Sequence, residues 1–305
     1  MESNRILIAG GSGLVGTALI QLLLKNDYGI NVLSRNEKKI NGVAVFKWDI
    51  NKSYLNPEAL KGVHTIINLS GSGIADQRWT PSRKEDLLKS RTQSTALLHQ
   101  AVSTTNNQVK CFIGASAIGI YPESILPMHE DTLPANNFLG KLCMAWEKES
   151  MRFNELNIRT NIYRFGLVLS TQGGMLKELL PPFKLGIAPV FGQGTQQQSW
   201  IHINDICRMV LFAIENKNIA GVYNAVAPNP VSNEAMISAL QDVRAAVSLK
   251  VNVPLFFLRL ALGERVAVIA ASQNVSAHKI MKQGFVFDYP ILRDALSNLL
   301  NKEKP

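Results

Sequence analysis

A glycine-rich run near the start of the chain has the composition of a turn that binds phosphate groups. It follows an apolar stretch, residues 6–9, and precedes an amphipathic stretch, residues 17–23. Glycine allows a tight turn from strand to helix and lets backbone N–H groups approach a pyrophosphate at the positive end of the helix. We therefore predict a dinucleotide site here. The run consists of Gly10, Gly11, Ser12, Gly13, Leu14, Val15 and Gly16.

The tip of the predicted second strand, residues 30–34, indicates which dinucleotide binds. An Asp or Glu about 20 residues after the glycines typically binds the ribose 2′-hydroxyl of NAD. This chain has Ser34, Arg35 and Asn36 there, and a guanidinium suits a 2′-phosphate. We predict NADP(H) rather than NAD(H), with a merely solvated Arg35 as the alternative. Further cofactor contacts are predicted at Asp49, near the adenine, and at Leu69, Ser70 and Gly71.

The elements that must position these residues alternate between short apolar runs and helical patterns. Such alternation is typical of βαβ units and a parallel sheet covered on both faces. We predict an α/β fold with a Rossmann-type doubly wound parallel sheet, whose ligands bind at the carboxyl edge of the strands. The predicted strands are residues 5–9, 30–34, 43–48, 65–69, 110–115, 159–164 and 222–225. The predicted helices are residues 13–26, 57–60, 84–102, 138–156 and 203–215.

The pattern changes after Leu169, where glycine and proline become frequent. Residues 171–199 are too rich in both to form one regular element. We predict that they form a lid over a substrate, with a long surface loop as the alternative. Helical patterns follow at residues 233–246 and 254–271. We therefore predict a Rossmann domain over residues 1–228 and a smaller C-terminal substrate lobe over residues 229–305, to which the lid-like segment contributes.

Composition argues against several classes of protein. Of the 305 residues, 46% are hydrophobic, which predicts a folded chain with a large core. The net charge of +9 comes from dispersed basic residues, among which Lys38 and Lys39 are about the densest pair, so we expect no nucleic-acid partner. Charged residues interrupt the apolar stretch 253–271. We expect it to be a buried or partner-facing helix, consistent with a homodimer, rather than a membrane span.

Cysteine usage bears on metals and location. Cys111, Cys143 and Cys207 lie far apart and lack the spacing of metal ligands, and no signal peptide is evident. We expect reduced thiols in a cytoplasmic protein, with no bound metal and no membrane partner.

Further motifs extend along almost the whole chain. Besides the glycine run they are residues 32–36, 68–71, 78–80, 90–91, 164–169, 180–183 and 200–203. With them the chain resembles the short-chain dehydrogenase/reductase superfamily, and most closely its atypical branch of epimerase-family proteins with a C-terminal domain of unknown function. The resemblance implies an extended Rossmann fold that binds NADP(H) and acts on a small molecule, without implying a particular reaction.

The catalytic set of that superfamily is only partly present. It comprises a serine and a helix with Tyr-x-x-x-Lys, in which the tyrosine is the acid/base. By resemblance, Ser116 matches the serine and Arg91 replaces a supporting asparagine. In extended members a glutamate often follows the lysine by four residues. Taking Glu147 as that glutamate puts Cys143 in the lysine position and Leu139 in the tyrosine position.

With these two residues, the tyrosine–lysine mechanism of the superfamily is not available at its usual positions. Leu139 cannot transfer a proton, and Cys143 carries no positive charge. Tyr121 either supplies a displaced phenol or packs the loop after Ser116. Cys143 is either a small buried residue or a catalytic thiol, and we expect Lys141, turned by about 200° on the helix, at the surface.

Two further pairs of residues are substrate candidates. Arg78 and Trp79 lie in a loop on the ligand side of the sheet, where they hold an anionic or aromatic group or else anchor the loop. By resemblance, Trp200 and His202 lie in a segment that closes over the cofactor. His202 is then either a base or a structural hydrogen-bond partner.

Two functions fit these residues. One is an NADP(H)-dependent oxidoreductase or epimerase for a small polar substrate such as a sugar nucleotide. In it, Ser116 orients the reacting oxygen, and Tyr121, water or the substrate is the acid/base. The other is an NADP(H)-binding redox-sensing or interaction protein without catalysis. The missing tyrosine and lysine favour the second function, whereas Ser116, Arg91 and the lid-like segment favour the first, which we prefer.

Overall fold

The structure is a computed structural model that describes residues 4–36, 40–244 and 248–301. Its strands are β1 (Arg5–Ala9), β2 (Gly29–Ser34), β3 (Ala44–Asp49), β4 (Tyr54–Leu55), β5 (Val63–Asn68), β6 (Cys111–Ala117), β7 (Ser124–Met128), β8 (Arg159–Phe165), β9 (Leu167–Leu169), β10 (Ile187–Phe191), β11 (Gln197–Gln198), β12 (Trp200–His202), β13 (Gly221–Ala225), β14 (Val231–Ser232), β15 (Leu249–Val253) and β16 (Gln273–Val275). Its α-helices are α1 (Leu14–Lys25), α2 (Pro81–Thr104), α3 (Phe138–Met151), α4 (Gly174–Lys184), α5 (Ile203–Glu215), α6 (Asn233–Arg244), α7 (Leu255–Leu262), α8 (Ala267–Ala270), α9 (His278–Lys282) and α10 (Leu292–Asn301). Short 3₁₀ helices lie at Pro57–Leu60, Ile118–Ile120, Arg152–Leu156 and Gly263–Val266.

Eight strands form the main sheet, in the order β13-β8-β6-β5-β1-β2-β3-β4. All neighbouring pairs are parallel except β3 with β4. The strand order reverses beside β1, so the loops after β1 and β5 meet at a switch point, where open α/β sheets bind their ligands. The predicted α/β fold with a Rossmann-type doubly wound sheet is confirmed.

The sheet is buried on both faces, which explains the continuous apolar runs of its strands. Alternate residues of β1 divide between the faces: Ile6 and Ile8 join one buried cluster, and Leu7 and Ala9 join another. The first cluster includes Leu19, Leu23, Ile206 and Val210 of α1 and α5. The second includes Leu97, Leu98 and Val102 of α2, together with Phe112 and Phe153.

The lid-like segment 171–199 contains regular structure, namely α4, β10 and β11. Within α4 the buried residues Leu176, Leu179, Leu180 and Phe183 repeat at helical spacing. They pack in a third cluster with residues of α6 and α10, including Ile237 and Leu296. The long-surface-loop alternative is therefore wrong, and the segment forms a buried core together with α6 and α10.

The C-terminal part departs from the predicted helices. The predicted helix 254–271 is divided into α7, a 3₁₀ turn and α8, because Gly263 has a φ of 61°, which an α-helix does not accommodate. α7 has no buried residue, so the buried alternative for it is wrong, and a partner-facing role stays a prediction.

Two predicted features reach beyond what the structure describes. The predicted end of the helix 233–246 and the basic pair Lys38–Lys39 lie outside the described residues. Among the residues that are described, no helix combines the length and apolar character needed to cross a membrane.

Candidate functional site

The glycine turn joins β1 to α1, and its shape requires the absence of side chains. Gly10 has a φ of 84°, and a Cβ there would lie 2.6 Å from the carbonyl carbon of Leu69. A Cβ on Gly16 would overlap the carbonyl oxygen of Gly10. α1 begins at Leu14 without a side-chain cap from Gly13, so the first N–H groups of the helix have no partner within it. The turn therefore presents backbone donors that fit a pyrophosphate. Gly11, Ser12 and Val15 complete this segment.

The tip of β2 lies beside the turn and presents an exposed arginine. Ser34 Oγ accepts a hydrogen bond from the backbone N–H of Asn36 over 3.2 Å, and Arg35 is exposed. At the end of β3, Oδ1 of Asp49 accepts the backbone N–H groups two and three residues further on, at 3.0 and 3.3 Å. The Asp49 carboxylate thus stabilises its own turn, and a guanidinium stands at the β2 tip.

The loop after β5 closes the other side of the turn. The N–H of Leu69 donates to the carbonyl of Ala9 over 2.9 Å. Asn68 Oδ1 accepts both the N–H, at 3.1 Å, and the hydroxyl of Ser70, while Asn68 Nδ2 donates to Thr95 Oγ1 over 2.9 Å. The Ser70 side chain is therefore turned inward, and this loop reaches the site with its backbone.

Two adjacent residues of α2 clamp the same loop. Ser90 Oγ accepts the N–H of Ser72 over 3.1 Å, and Arg91 Nη2 donates to the carbonyl of Ser72 over 3.0 Å. The Arg91 guanidinium also lies 5.0 Å from the ring centroid of Trp146. A Cβ on Gly71 would lie 3.1 Å from Arg91 Cζ, so the glycine gives the guanidinium its space.

Ser116 is buried near the end of β6 and belongs to an ionic network. Its hydroxyl donates to Oε1 of Glu147 over 2.6 Å, and Arg164 donates to both oxygens of that carboxylate at 2.8 Å. Burial alone would lower the pKa of Arg164, but the hydrogen bonds and charge of Glu147 raise it. A carboxylate in an ion pair only accepts hydrogen bonds, so the hydroxyl proton of Ser116 is donated to Glu147. The Ser116 oxygen can then only accept a further hydrogen bond.

Tyr121 is held by the same network. Its hydroxyl donates to Oδ1 of Asn224 over 2.7 Å and accepts a hydrogen bond from Nη1 of Arg164 over 2.7 Å. Burial raises the pKa of Tyr121 to about 12, against the opposing effect of Arg164. The phenol proton is engaged inside the protein, so the contacts favour the packing role over a displaced acid/base.

α3 carries the two residues that stand in the tyrosine and lysine positions. Burial, followed by the charge of Glu147, raises the pKa of Cys143 to about 11, so this thiol is protonated at neutral pH. Leu139 packs beside Gly119, where a Cβ would lie 3.4 Å from the Leu139 Cβ. Lys141 is exposed, as expected. Cys143 therefore has the environment of a buried structural cysteine and not that of an activated nucleophile.

The contacts of Arg78 and Trp79 favour the anchoring alternative. Arg78 Nη2 donates to the carbonyl of Leu260 over 2.7 Å and so holds the end of α7. Trp79 is buried, its Nε1 donates to the carbonyl of Ile74 over 2.8 Å, and its ring meets Phe138 edge-on at 5.1 Å. The polar contacts of both side chains are thus made within the protein.

Trp200 and His202 are likewise built into the protein. Trp200 is fully buried in the third cluster, and its Nε1 donates to the carbonyl of Asn229 over 3.0 Å, so a substrate contact at this ring is wrong. His202 Nδ1 accepts the N–H of Asn204 over 3.0 Å at the start of α5, and its ring stacks on Tyr289 at 4.0 Å. These contacts favour the structural alternative for His202.

The sequence alone did not indicate three members of the Ser116 network, namely Arg164, Glu130 and Asn224. Arg164 also donates to the carbonyl of Glu130 over 2.9 Å, and Glu130 Oε1 accepts the N–H of Asn224 over 2.8 Å. One signal was available, because an arginine within the otherwise buried strand β8 needs a charged partner. In the described ranges no group of three or more His, Cys, Asp or Glu could hold a metal.

Known proteins provide independent comparisons. A sequence model of the NAD dependent epimerase/dehydratase family matches residues 6–225, and one of a domain of unknown function (DUF1731) matches residues 253–299. An epimerase family protein of Staphylococcus aureus (strain MRSA252) is 34% identical over 302 residues, 98% of this chain and 100% of the relative. One of Staphylococcus haemolyticus (strain JCSC1435) is 32% identical over 98% of this chain and 99% of the relative.

Solved structures extend the likeness to three dimensions. The human epimerase family protein SDR39U1 (isoform2), crystallised with NADPH, aligns with a TM-score of 0.87 and 25% identity over 97% of this chain and 99% of that chain. A nucleoside-diphosphate sugar epimerase from Corynebacterium glutamicum aligns with a TM-score of 0.79 and 28% identity over 98% of this chain and 58% of that chain. With the glycine turn at the switch point, these matches establish that the chain belongs to the NAD dependent epimerase/dehydratase family.

Proposed function

We propose that this protein is an NADP(H)-dependent oxidoreductase or epimerase that acts on a small polar substrate. The observation that carries the proposal is the exposed Arg35 at the β2 tip, where an NAD site would have a carboxylate. A human relative that is 25% identical was crystallised with NADPH, which supports the same choice.

The residues of the site fit a dinucleotide. The backbone N–H groups at Leu14 and Val15, the first residues of α1, would hold the pyrophosphate, and Ser34 with Arg35 would hold the 2′-phosphate. The backbone at Leu69 would border the cofactor, because it meets Gly10 at the switch point. When bound, the nicotinamide supplies or accepts a hydride.

The side chains of this chain limit the proton chemistry. The Ser116 hydroxyl is committed to Glu147, so Ser116 orients a substrate by accepting a hydrogen bond from it. The Tyr121 proton is committed to Asn224, and Cys143 is protonated and buried. We therefore propose that water or the substrate itself supplies the proton, and that Tyr121 and Cys143 do not.

A second candidate function is an NADP(H)-binding sensor without catalysis. The observation that favours it is Leu139, which places an apolar side chain where the superfamily has its acid/base. In such a protein the Ser116 network would serve only to hold β6, α3 and β8 together.

Nucleotide titration tests the cofactor assignment. We expect wild-type protein to bind NADPH more tightly than NADH, measured by the fluorescence of the reduced nicotinamide. Arg35→Ala should lower that preference by about tenfold, the value of one charge-assisted contact. An unchanged ratio would exclude Arg35 as the 2′-phosphate ligand.

A turnover screen separates the two functions. The substrates are keto-sugars, quinones and aldehydes, with NADPH oxidation and NADP⁺ reduction both followed by absorbance. Turnover that depends on Ser116 supports the enzyme, whereas tight NADPH binding without turnover of any class supports the sensor.

A further inference from the structure

Two arginines of α2 converge on one short loop. Arg91 Nη2 donates to the carbonyl of Ser72 over 3.0 Å, and Arg83 Nη2 donates to the carbonyl of Gly73 over 2.8 Å. The two guanidinium groups therefore bind carbonyls of consecutive residues in one loop, and the charge of Arg83 acts on Arg91. They stand at the carboxyl edge of β5, next to the switch point.

The positive charge of this pair is not balanced within the described ranges, where neither arginine forms an ion pair. Arg83 Nε is buried without a hydrogen-bond partner. Asp76 packs against Gly73 but forms an ion pair with neither guanidinium. Burial lowers the pKa of Arg91, and the charge of Arg83 lowers it further. Two like charges held together and half-buried are costly unless an anion joins them.

The neighbouring cations differ from this pair. Lys84 pairs with Glu264 at 2.6 Å, and Arg78, which donates to a carbonyl at the end of α7, is exposed, so water solvates its charge. Arg164, the other buried arginine of the site, is neutralised by Glu147. Arg83 and Arg91 are therefore the arginines beside this edge that have both buried donors and unbalanced charge.

We propose that Arg83 and Arg91, with the loop 71–73, form a subsite for an anionic group of the substrate, a carboxylate or a phosphate. Guanidinium forks match the oxygens of both groups, and the first turn of α2, where Arg83 lies, adds favourable helix-dipole charge. The stacking of Arg91 on Trp146 fixes the orientation of one fork. The inference rests on the proposed function, and it narrows the substrate from a polar molecule to an anionic one.

The test is the binding of small anions to protein saturated with NADP⁺, which occupies the glycine turn and Arg35. Inorganic phosphate and malonate are titrated separately by calorimetry, so the two arms distinguish phosphate from carboxylate. The variants are Arg83→Gln and Arg91→Gln, with Arg83→Lys to keep the charge without the fork. The matched control is Arg159→Gln, since Arg159 is also half-buried and donates to the carbonyl of Ile219 over 2.7 Å, but at the opposite edge of the sheet.

We expect at least one anion to bind wild type and Arg159→Gln equally. Each Gln variant should weaken that binding by about tenfold or more. The affinity of Arg83→Lys for the anion should lie between those of wild type and Arg83→Gln. Absence of anion binding to wild type, or unchanged affinity in Arg83→Gln, would overturn the subsite. A loss of anion affinity in Arg91→Gln that is matched by an equal loss of NADP⁺ affinity would also overturn it, because a collapsed loop would explain both losses.

Failure of the proposed function gives a different result. If wild type does not bind NADP⁺, the cofactor assignment is wrong. The phosphate and malonate titrations are then repeated without nucleotide. All the variants keep the glycine turn, so a loss of anion affinity confined to the Arg83 and Arg91 variants would still support the subsite. Equal affinity in all proteins would overturn it.

Discussion

The glycine turn after β1 presents backbone groups to its ligand, whereas the Ser116 region after β6 depends on buried charged side chains. The turn is encoded within residues 10–16, and its critical contact is with the backbone of Leu69. The Ser116 network draws Glu147, Arg164 and Asn224 from three separate elements. In the part of the chain that the structure describes, no hydrogen bond of this network reaches residues 10–16, so the side chains around Ser116 can change while the glycine turn keeps its shape.

Breaking the buried ion pair should have the largest effect on stability. Arg164→Met leaves Glu147 buried without a cation, with only the Ser116 hydroxyl donating to it, and we expect the free energy of unfolding to fall by about 3–5 kcal/mol in urea denaturation. The control is Arg152→Met, which removes a partly exposed pair with Glu149 and should cost about 0–1 kcal/mol. Equal losses in the two variants would mean that the network does not stabilise the fold in the way its burial indicates.

Gly10→Ala should have the next largest effect, and on the other region. The new Cβ would meet the Leu69 backbone at 2.6 Å, in a left-handed conformation that disfavours side chains. We expect a loss of about 2–4 kcal/mol and no measurable NADPH binding by fluorescence.

A matched glycine separates steric overlap from backbone strain. Gly221 also has a positive φ, 94°, but a Cβ there would have no atom within 4 Å. Gly221→Ala should cost only about 1 kcal/mol and leave NADPH binding intact. A comparable loss of binding in both variants would show that strain, and not the contact with Leu69, matters.

Ser116→Ala should distinguish the two regions most directly. The variant removes one hydrogen bond to Glu147, so we expect about 1–2 kcal/mol less stability. NADPH affinity should remain at the wild-type value, because the glycine turn is untouched. Any turnover identified in the substrate screen should be lost. A parallel loss of NADPH affinity would contradict the separation of the two regions.

The same contrast explains what the sequence could predict. The glycine turn, residues 10–16, depends on local chain conformation, and strand β1 depends on the alternation of its own side chains. Both can therefore be predicted from the sequence. The roles of Tyr121, Trp200 and Arg78 depend on partners far along the chain, Asn224, Asn229 and Leu260. No spacing rule reports such partners. The apolar pattern of residues 254–271 predicts one helix, whereas the structure divides it at Gly263, whose positive φ the pattern does not report.

The last expected effect concerns Cys143 and is read from the pH dependence of stability, because the native fold at neutral pH does not reveal it. Its pKa is raised from 9.0 to about 11 by burial and by Glu147, so the folded state keeps the proton where the unfolded chain loses it. The unfolded state then binds fewer protons between pH 9 and 11, and stability falls as the pH rises through that window. Cys143→Ser should make the fall shallower without abolishing it, because burial also raises the pKa of Cys111 and Cys207. Urea denaturation at pH 8 and pH 10.5 measures the slope, and a steeper fall in the variant would contradict a buried, protonated thiol. Iodoacetamide at pH 8 should likewise leave Cys143 unmodified in the native protein, since alkylation requires an accessible thiolate.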